Sequence, residues 1–258
     1  MVDYLTNLAR RAAERVGRGY YSDIKLGKQS TASLVETIQK SQSTPIITEV
    51  KFASPSAGKI REREDPLRIA REMLMGGACA ISVLTDPDDF HGSLETLATL
   101  SREVEVPLIM KDIIVSLAQL QAAATAGARA VVLISELFTR RLTDESLDKL
   151  LEEARRLGLE VLLEANTPHE FGNLQRHRPD LYGINNRNLS TFKLDLSTTE
   201  RVLASNGHLD RPIVSESGIK DSADVLRLRK TGVNAFLVGT SIMSSSDIEA
   251  KVRELVEA

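Results

Sequence analysis

With 258 residues, 42% hydrophobic and 27% charged, the chain can bury a sizeable core and fits either one α/β barrel or two smaller domains. A formal net charge of -3, spread as mixed signs, supplies no field that would hold a polyanion, so nucleic acid is not an expected partner. A single cysteine excludes an intrachain disulfide, and no apolar run approaches the roughly 20 residues a membrane-spanning helix needs.

The first stretch, MVDYLTNLARRAAERVGRGY, scatters acidic and basic side chains through an amphipathic pattern instead of placing a basic start before an apolar run. A signal peptide is therefore not predicted, and the expected location is cytoplasmic. Residues 1–44 read as one or two helices, the second opening near Ser30 or Thr31, whose apolar faces need a surface to cover. Cys79 falls in an apolar run and reads as core filler in a reducing compartment.

From residue 45 onward, short β-branched runs recur at a regular beat: PIITEVK (45–51), CAISVLT (79–85), PLIMK (107–111) and AVVLI (130–134). EVLLE (160–164), LYGIN (181–185), PIVSES (212–217) and AFLVG (235–239) follow. Stretches with helical spacing lie between them, several opening on Ser or Asp and closing on Gly, the side chains expected at helix caps. Eight such units without a Pro- or Ser-rich linker predict a single closed (β/α)8, or TIM, barrel over residues 45–258, with 1–44 as an N-terminal helical extension over its mouth. No glycine fingerprint of the dinucleotide-binding type follows the first strand, which counts against an open doubly wound sheet.

In a barrel of this kind the reactive groups sit at the C-terminal ends of the strands. Strand one offers Glu49 and Lys51, which share a face because side chains alternate with period two. Strand three offers Lys111, strand five Glu164, strand six Asn185 with Arg187 just beyond, strand seven Glu216 and Ser217, and strand eight Gly239 and Thr240. Any one charge here reads most simply as a solvated rim residue, and rim charges add little stability. Two lysines and at least two carboxylates converging on one mouth would instead perturb one another's protonation and suit proton transfer near neutral pH.

SESGI (215–219) and VGTSIM (238–243) form a second constellation. Loops seven and eight of such barrels commonly bind phosphate, and small residues such as Gly218, Gly239 and Thr240 let backbone N–H groups approach the anion. Each glycine alone would read as closing a tight turn, but the pair predicts a small phosphate ester as substrate. His91, His169, His177 and His208 are scattered without ligand spacing, so metal catalysis is not expected.

EVKFASPSAG, SVLTDPDDFHGS, PLIMKD, GINNRNLSTFKLDL, VSESGI and VGTSIM, in this order, resemble the indole-3-glycerol phosphate synthase family of tryptophan biosynthesis. The resemblance runs from about residue 45 to the end and includes the helical extension. It implies a cofactor-free reaction on 1-(2-carboxyphenylamino)-1-deoxyribulose 5-phosphate, with ring closure onto the ketone, decarboxylation and dehydration. Position by position, it makes Lys111 the general acid for ring closure and Glu164 the general base for dehydration. Lys51 falls on the second lysine, assigned either to carboxylate binding or to acid work in dehydration, with Glu49 tuning it. Asn185 and Ser217 join that catalytic set. Arg187 becomes the partner of the substrate carboxylate, which a guanidinium can grip with two hydrogen bonds. Ser54, Gly218, Gly239 and Thr240 would serve the phosphate, and Phe90 the aromatic ring. Glu216 and Ser217 both match positions at the mouth, although alternation along a strand cannot point both inward without a bend.

Two positions depart from the family pattern: Phe52 stands where many members have Arg, and Ile113 where many have Phe. Phe52 is expected to face the helices, and Ile113 to leave one side of the aromatic slot thinner. Among rival readings, a phosphoribosylanthranilate isomerase would need cysteine near the position of Lys51, and a Schiff-base aldolase would need lysine where Asn185 stands. A barrel kept only for binding would retain phosphate-ester affinity without turnover. The chain is expected to be a monomer or weak homo-oligomer, with no membrane partner.

Overall fold

The computed structural model describes residues 3–55, 57–207 and 209–258; Met1, Val2, Ser56 of the SPS motif and His208 lie outside the described residues. Eight parallel strands close into a barrel, each hydrogen-bonded to its sequence neighbours and the last to the first. They are β1 (Ile46–Val50), β2 (Ala80–Leu84), β3 (Leu108–Lys111), β4 (Ala130–Ile134), β5 (Glu160–Ala165), β6 (Leu181–Asn185), β7 (Ile213–Glu216) and β8 (Ala235–Val238). All eight β-branched runs of the sequence are strands.

Helices between the strands start where their caps dictate. Asp65 accepts from Leu67 N with Pro66 in the first turn of the helix Pro66–Met75, and Thr167 and Glu170 form a reciprocal capping box on the helix Pro168–Leu174. The alternation of strand side chains then divides the core. One set, including Val50, Phe52, Val83, Met110, Leu133 and Leu163, packs outward under the helices. The other, including Ile47, Ala80, Ile109, Val132, Leu162 and Val214, fills the barrel interior. Phe52 lies in the helix-facing set, as its position opposite Lys51 predicts.

The extension does not lie wholly over the mouth. α1 (Tyr4–Gly17) packs Leu5, Leu8, Ala9 and Ala12 against Ile113, Val115, Ile134 and Leu137, at the C-terminal ends of β3 and β4. α2 (Leu34–Lys40) sits at the opposite end, where Leu34 and Ile38 close the floor of the interior core. Glu160, the first residue of β5, accepts from Ser33 Oγ at 2.5 Å and Leu34 N at 2.6 Å and so pins the start of α2 to that floor. Burying two such aliphatic side chains is worth about 1.5–3 kcal/mol each, enough to hold a helix of seven residues that could not persist alone.

Between them the chain runs down the outside of the barrel as a strap. Tyr20 Oη donates to Thr85 O near the mouth, Gly27 N donates to Thr125 O at 2.8 Å, and Gln29 Nε2 donates to Ala128 O near the base. Gly27 is required by proximity: a Cβ there would lie 2.0 Å from the carbonyl oxygen of Ala126.

Candidate active site

The floor of the mouth is built from strand ends held in register. Lys111 pairs with Leu84, Glu164 with Ile134 and Gly183, and Glu216 with Asn185 and Leu237. Lys111 Nζ lies 2.5 Å from Glu216 Oε2 and 3.7 Å from Glu164 Oε2. Asn185 Nδ2 donates to Glu164 Oε1 at 3.2 Å, and Lys51 Nζ lies 2.6 Å from Glu49 Oε1. The two sets together make an array of two ammonium groups and three carboxylates, with Glu49 and Lys111 close enough to influence each other electrostatically.

These carboxylates are not rim groups in water. Glu49 and Glu164 are 3% exposed and Glu216 is fully buried, whereas the sequence suggested charges at a wet mouth. Strands end early enough for their last side chains to remain inside the barrel wall, beneath the loops and α1. Burial would lower the Lys111 ammonium, but Glu216, Glu164 and Glu49 overcome it and raise its pKa above the usual lysine range. Burial pushes Glu216 up to about 7; Glu164 and Glu49 add to that, and Lys111 opposes it. Burial also works against an ionised Glu49, yet Lys51 and Lys111 hold its pKa below the ordinary carboxylate value. Glu164 Oε2 and Glu216 Oε1 are buried without a hydrogen-bond partner among the described residues. Such oxygens are costly unless a ligand or a proton completes them.

Two glycines make room for this array. A Cβ on Gly183 would lie 2.7 Å from Glu216 Oε1 and 2.9 Å from Glu164 Cβ. A Cβ on Gly239 would lie 2.5 Å from Glu49 Oε1 and 3.1 Å from Lys51 Nζ. Gly239 therefore also clears space for the ion pair, a second reason for glycine at a position the sequence suggested for an anion.

Above the floor is a cavity of about 310 Å³. Glu49, Lys51, Lys111, Glu164, Asn185, Arg187, Ser217, Ser54, Phe90, Gly218, Gly239 and Thr240 all line it; Glu216 reaches it through Lys111. Ser54, Gly218, Gly239, Thr240 and Ser241 line it, and Leu8, Phe90, Ile113, Ile134 and Leu189 are among its apolar members. Ser241 Oγ donates to Ile219 O at 2.9 Å and ties loops seven and eight together.

The bend that β7 needs is present. Ser217 has φ 68° and Gly218 φ 86°, so the chain turns left-handed directly after Glu216; Ser217 lines the cavity, and Glu216 meets it through Lys111. A non-glycine residue there costs on the order of 1 kcal/mol, and Asn186 Nδ2 secures it by donating to Ser217 O at 3.1 Å. Arg187 is held by its backbone N–H on Asn185 Oδ1 and by Nη1 on Phe192 O. Burial lowers its pKa, and no carboxylate pairs with it among the described residues, which leaves its guanidinium open to an anion.

The sequence reading missed Leu8 and Leu189 as wall residues and Gly183 as a spacer. It also missed a buried cluster formed by Arg15, Tyr21, Asp86 and Asp112 directly behind Lys111. Asp112, adjoining Lys111 in the sequence, and Asp86, at the end of strand two, were the available signals. Among the described residues no three His, Cys, Asp or Glu side chains are grouped to hold a metal ion.

A model of the family described as indole-3-glycerol phosphate synthase matches residues 9–255. The chain is 42% identical over 245 residues to the indole-3-glycerol phosphate synthase of Rhodopirellula baltica, spanning 95% of this chain and 90% of that protein. It is 42% identical over 229 residues to that of Listeria monocytogenes serotype 4b, spanning 88% of each. Among solved structures, N-acetylmannosamine-6-phosphate 2-epimerase from Clostridium perfringens aligns over 83% of this chain and 93% of its own, with a TM-score of 0.62 at 12% identity, a likeness of fold.

Proposed function

The chain belongs to the indole-3-glycerol phosphate synthase family, and from that premise we propose which of its residues carry each step. The enzyme converts 1-(2-carboxyphenylamino)-1-deoxyribulose 5-phosphate to indole-3-glycerol phosphate. The ring carbon bearing the carboxylate attacks the ketone carbon, CO2 leaves and restores aromaticity, and loss of water completes the indole. Every bond change is a proton transfer, an addition or an elimination, so the demands on the protein are positioning, acid–base groups and charge stabilisation.

Lys111 is the acid that protonates the ketone oxygen during ring closure. The supporting observation is its ammonium between two buried carboxylates on the cavity floor. In the resting site Glu216 holds that proton donor; its own proton uptake near neutrality loosens the pair and lets the ammonium turn to the substrate. Glu164, anchored through one oxygen by Asn185 and carrying an orphan second oxygen, takes the proton in dehydration. Lys51, paired with Glu49, serves either the departing carboxylate or acid work in dehydration, and Ser217 acts beside them. Arg187 grips the carboxylate, Phe90 flanks the aromatic ring, and Ser54, Gly218, Gly239 and Thr240 hold the phosphate.

Residues 45–258 form the catalytic domain in this reading and 1–44 its extension. The protein works in the cytoplasm as a monomer or weak homo-oligomer, without nucleic acid or membrane. No helix among the described residues is long and apolar enough to cross a membrane. Adding the carboxyphenylamino-ribulose phosphate to the purified chain and following indole fluorescence tests the activity. Binding of the ester without fluorescence gain would instead mark a barrel retained for binding.

A further inference from the structure

Behind Lys111 lies a buried charge cluster that the reaction does not use directly; of its members only Asp112 touches the cavity, and Arg15, Tyr21 and Asp86 do not line it. Arg15 of α1 is 4% exposed. Its Nη2 lies 2.7 Å from Asp86 Oδ2 and 3.6 Å from Asp112 Oδ1, its Nη1 lies 3.0 Å from Asp88 Oδ2, and its Nε donates to Tyr21 Oη at 3.4 Å. Asp112 Oδ2 accepts from Tyr21 Oη at 3.0 Å and from Thr85 Oγ1 at 2.5 Å, and Asp112 Oδ1 accepts from Ile113 N at 2.7 Å. Thr85 N in turn donates to Lys111 O at 3.1 Å. The Lys111 carbonyl is thus held by Thr85, and the Asp112 carboxylate by Thr85, Tyr21 and Arg15. Asp86 Oδ1 accepts from Asp88 N and Asp89 N, fixing the loop that leads to Phe90 on the cavity wall.

As a fastener for α1 this is an expensive arrangement. Two buried carboxylates share one guanidinium, and burial pushes both above the ordinary range, Asp86 to about 6. Apolar side chains would fasten a helix without desolvating ions. What an ionic cluster adds is fixed direction: a planar guanidinium accepts its partners only in set geometry.

We propose that Arg15 is a positioning residue for Lys111: by gripping Asp86 and Asp112 together, it fixes the end of β3 so that the ammonium stands between Glu164 and Glu216. This rests on the assignment of Lys111 as the acid. α1 thereby belongs to the catalytic apparatus even though Arg15 itself does not line the cavity.

A double-mutant cycle with an independent probe tests it. Arg15→Met is expected to lower kcat about tenfold or more with KM changed less than about threefold, because the loss falls on the transition state. In a Lys111→Met background the same change should cost less than about twofold, since residues acting through one another are not additive. Competitive acetylation read by mass spectrometry should show Lys111 labelling several-fold faster in Arg15→Met than in the wild type. Arg15→Lys, which keeps a charge in the cluster, should recover the fold and only part of kcat. If Arg15→Met does not fold, that milder variant carries both the cycle and the labelling measurement. Full multiplicative losses in the double variant, or unchanged labelling of Lys111, overturn the proposal. Faster labelling with a Lys111→Met enzyme at wild-type kcat would retain the positioning and discard the acid assignment.

Discussion

Lys111 is the counter-ion of two buried carboxylates at once, so its removal has two separable effects. Lys111→Met should lower kcat by about a hundredfold to ten-thousandfold, the usual cost of losing a general acid, with a smaller change in substrate binding. It should also destabilise the protein, by about 3–5 kcal/mol at pH 8, because breaking a buried pair leaves uncompensated charge. Urea unfolding at pH 5 and pH 8 checks this: the loss should shrink at pH 5, where Glu216 can take up a proton. Equal losses at both values would contradict the buried-pair account. Glu164→Gln should spare carbon–carbon bond formation and stop at dehydration, so single-turnover measurements should find CO2 released before indole appears.

Glu216 also gives a signed pH dependence. Its carboxyl titrates at about 7 in the fold against an ordinary 4.5, so between those values the native state binds more protons than the unfolded chain. Stability from this group therefore falls as pH rises from 4.5 to 7. Lys111, its pKa likewise raised, acts in the same direction but only above its ordinary 10.5, outside that window. In Glu216→Gln the decline of Tm across pH 4.5–7 should flatten; an unchanged slope would assign it to other groups, with Asp86 next in line.

At the scale of elements, the two helices of the extension should respond differently to truncation. Leu34→Ala in α2 opens a cavity in the floor and should cost about 2–5 kcal/mol while leaving KM unchanged. Leu8→Ala in α1 removes a wall of the substrate cavity and should raise KM. Thermal unfolding and steady-state kinetics on both variants separate these outcomes. Strand positions were legible in the sequence because short β-branched runs between capped helical stretches have few other ways to fold. The destination of α2 was not: an apolar stripe such as Leu34 and Ile38 states that a helix needs a surface, not which one. Most of the site was legible because strand ends converge by topology, which brought Lys111, Glu164 and Glu216 together on paper. Their burial was not, since it depends on where the loops and α1 lie. The left-handed turn at Ser217 was foreseen only as a requirement, because a non-glycine residue gives no local sign of positive φ.

Across the whole molecule, charge is arranged by depth. Arg10–Glu14, Arg227–Glu200 and Arg156–Glu153 are exposed pairs of small energetic weight, whereas Lys111, Arg15 and their carboxylates are concentrated around one end of the barrel. Most of the buried charge lies there, and the opposite end is sealed mainly with aliphatic side chains, Glu160 being the buried carboxylate that holds α2.

The strap that joins α1 to α2 also constrains the order in which the molecule assembles. Ser33 and Glu160 are 127 positions apart, Tyr21 and Asp112 91, and Tyr20 and Thr85 65. During synthesis, α1 leaves the ribosome before its docking surface on β3 and β4 exists, and α2 waits for β5. Contacts of such long range are slow to close. Docking of the extension should then follow the rate-limiting step, so that Leu34→Ala accelerates unfolding and leaves refolding nearly unchanged, with a φ-value near zero. Stopped-flow chevrons of that variant would reveal the opposite, a φ-value near one, if the floor helix nucleates the barrel. Until it docks, the nascent chain carries Leu5, Leu8, Leu34 and Ile38 uncovered, a stretch that chaperones would be expected to hold.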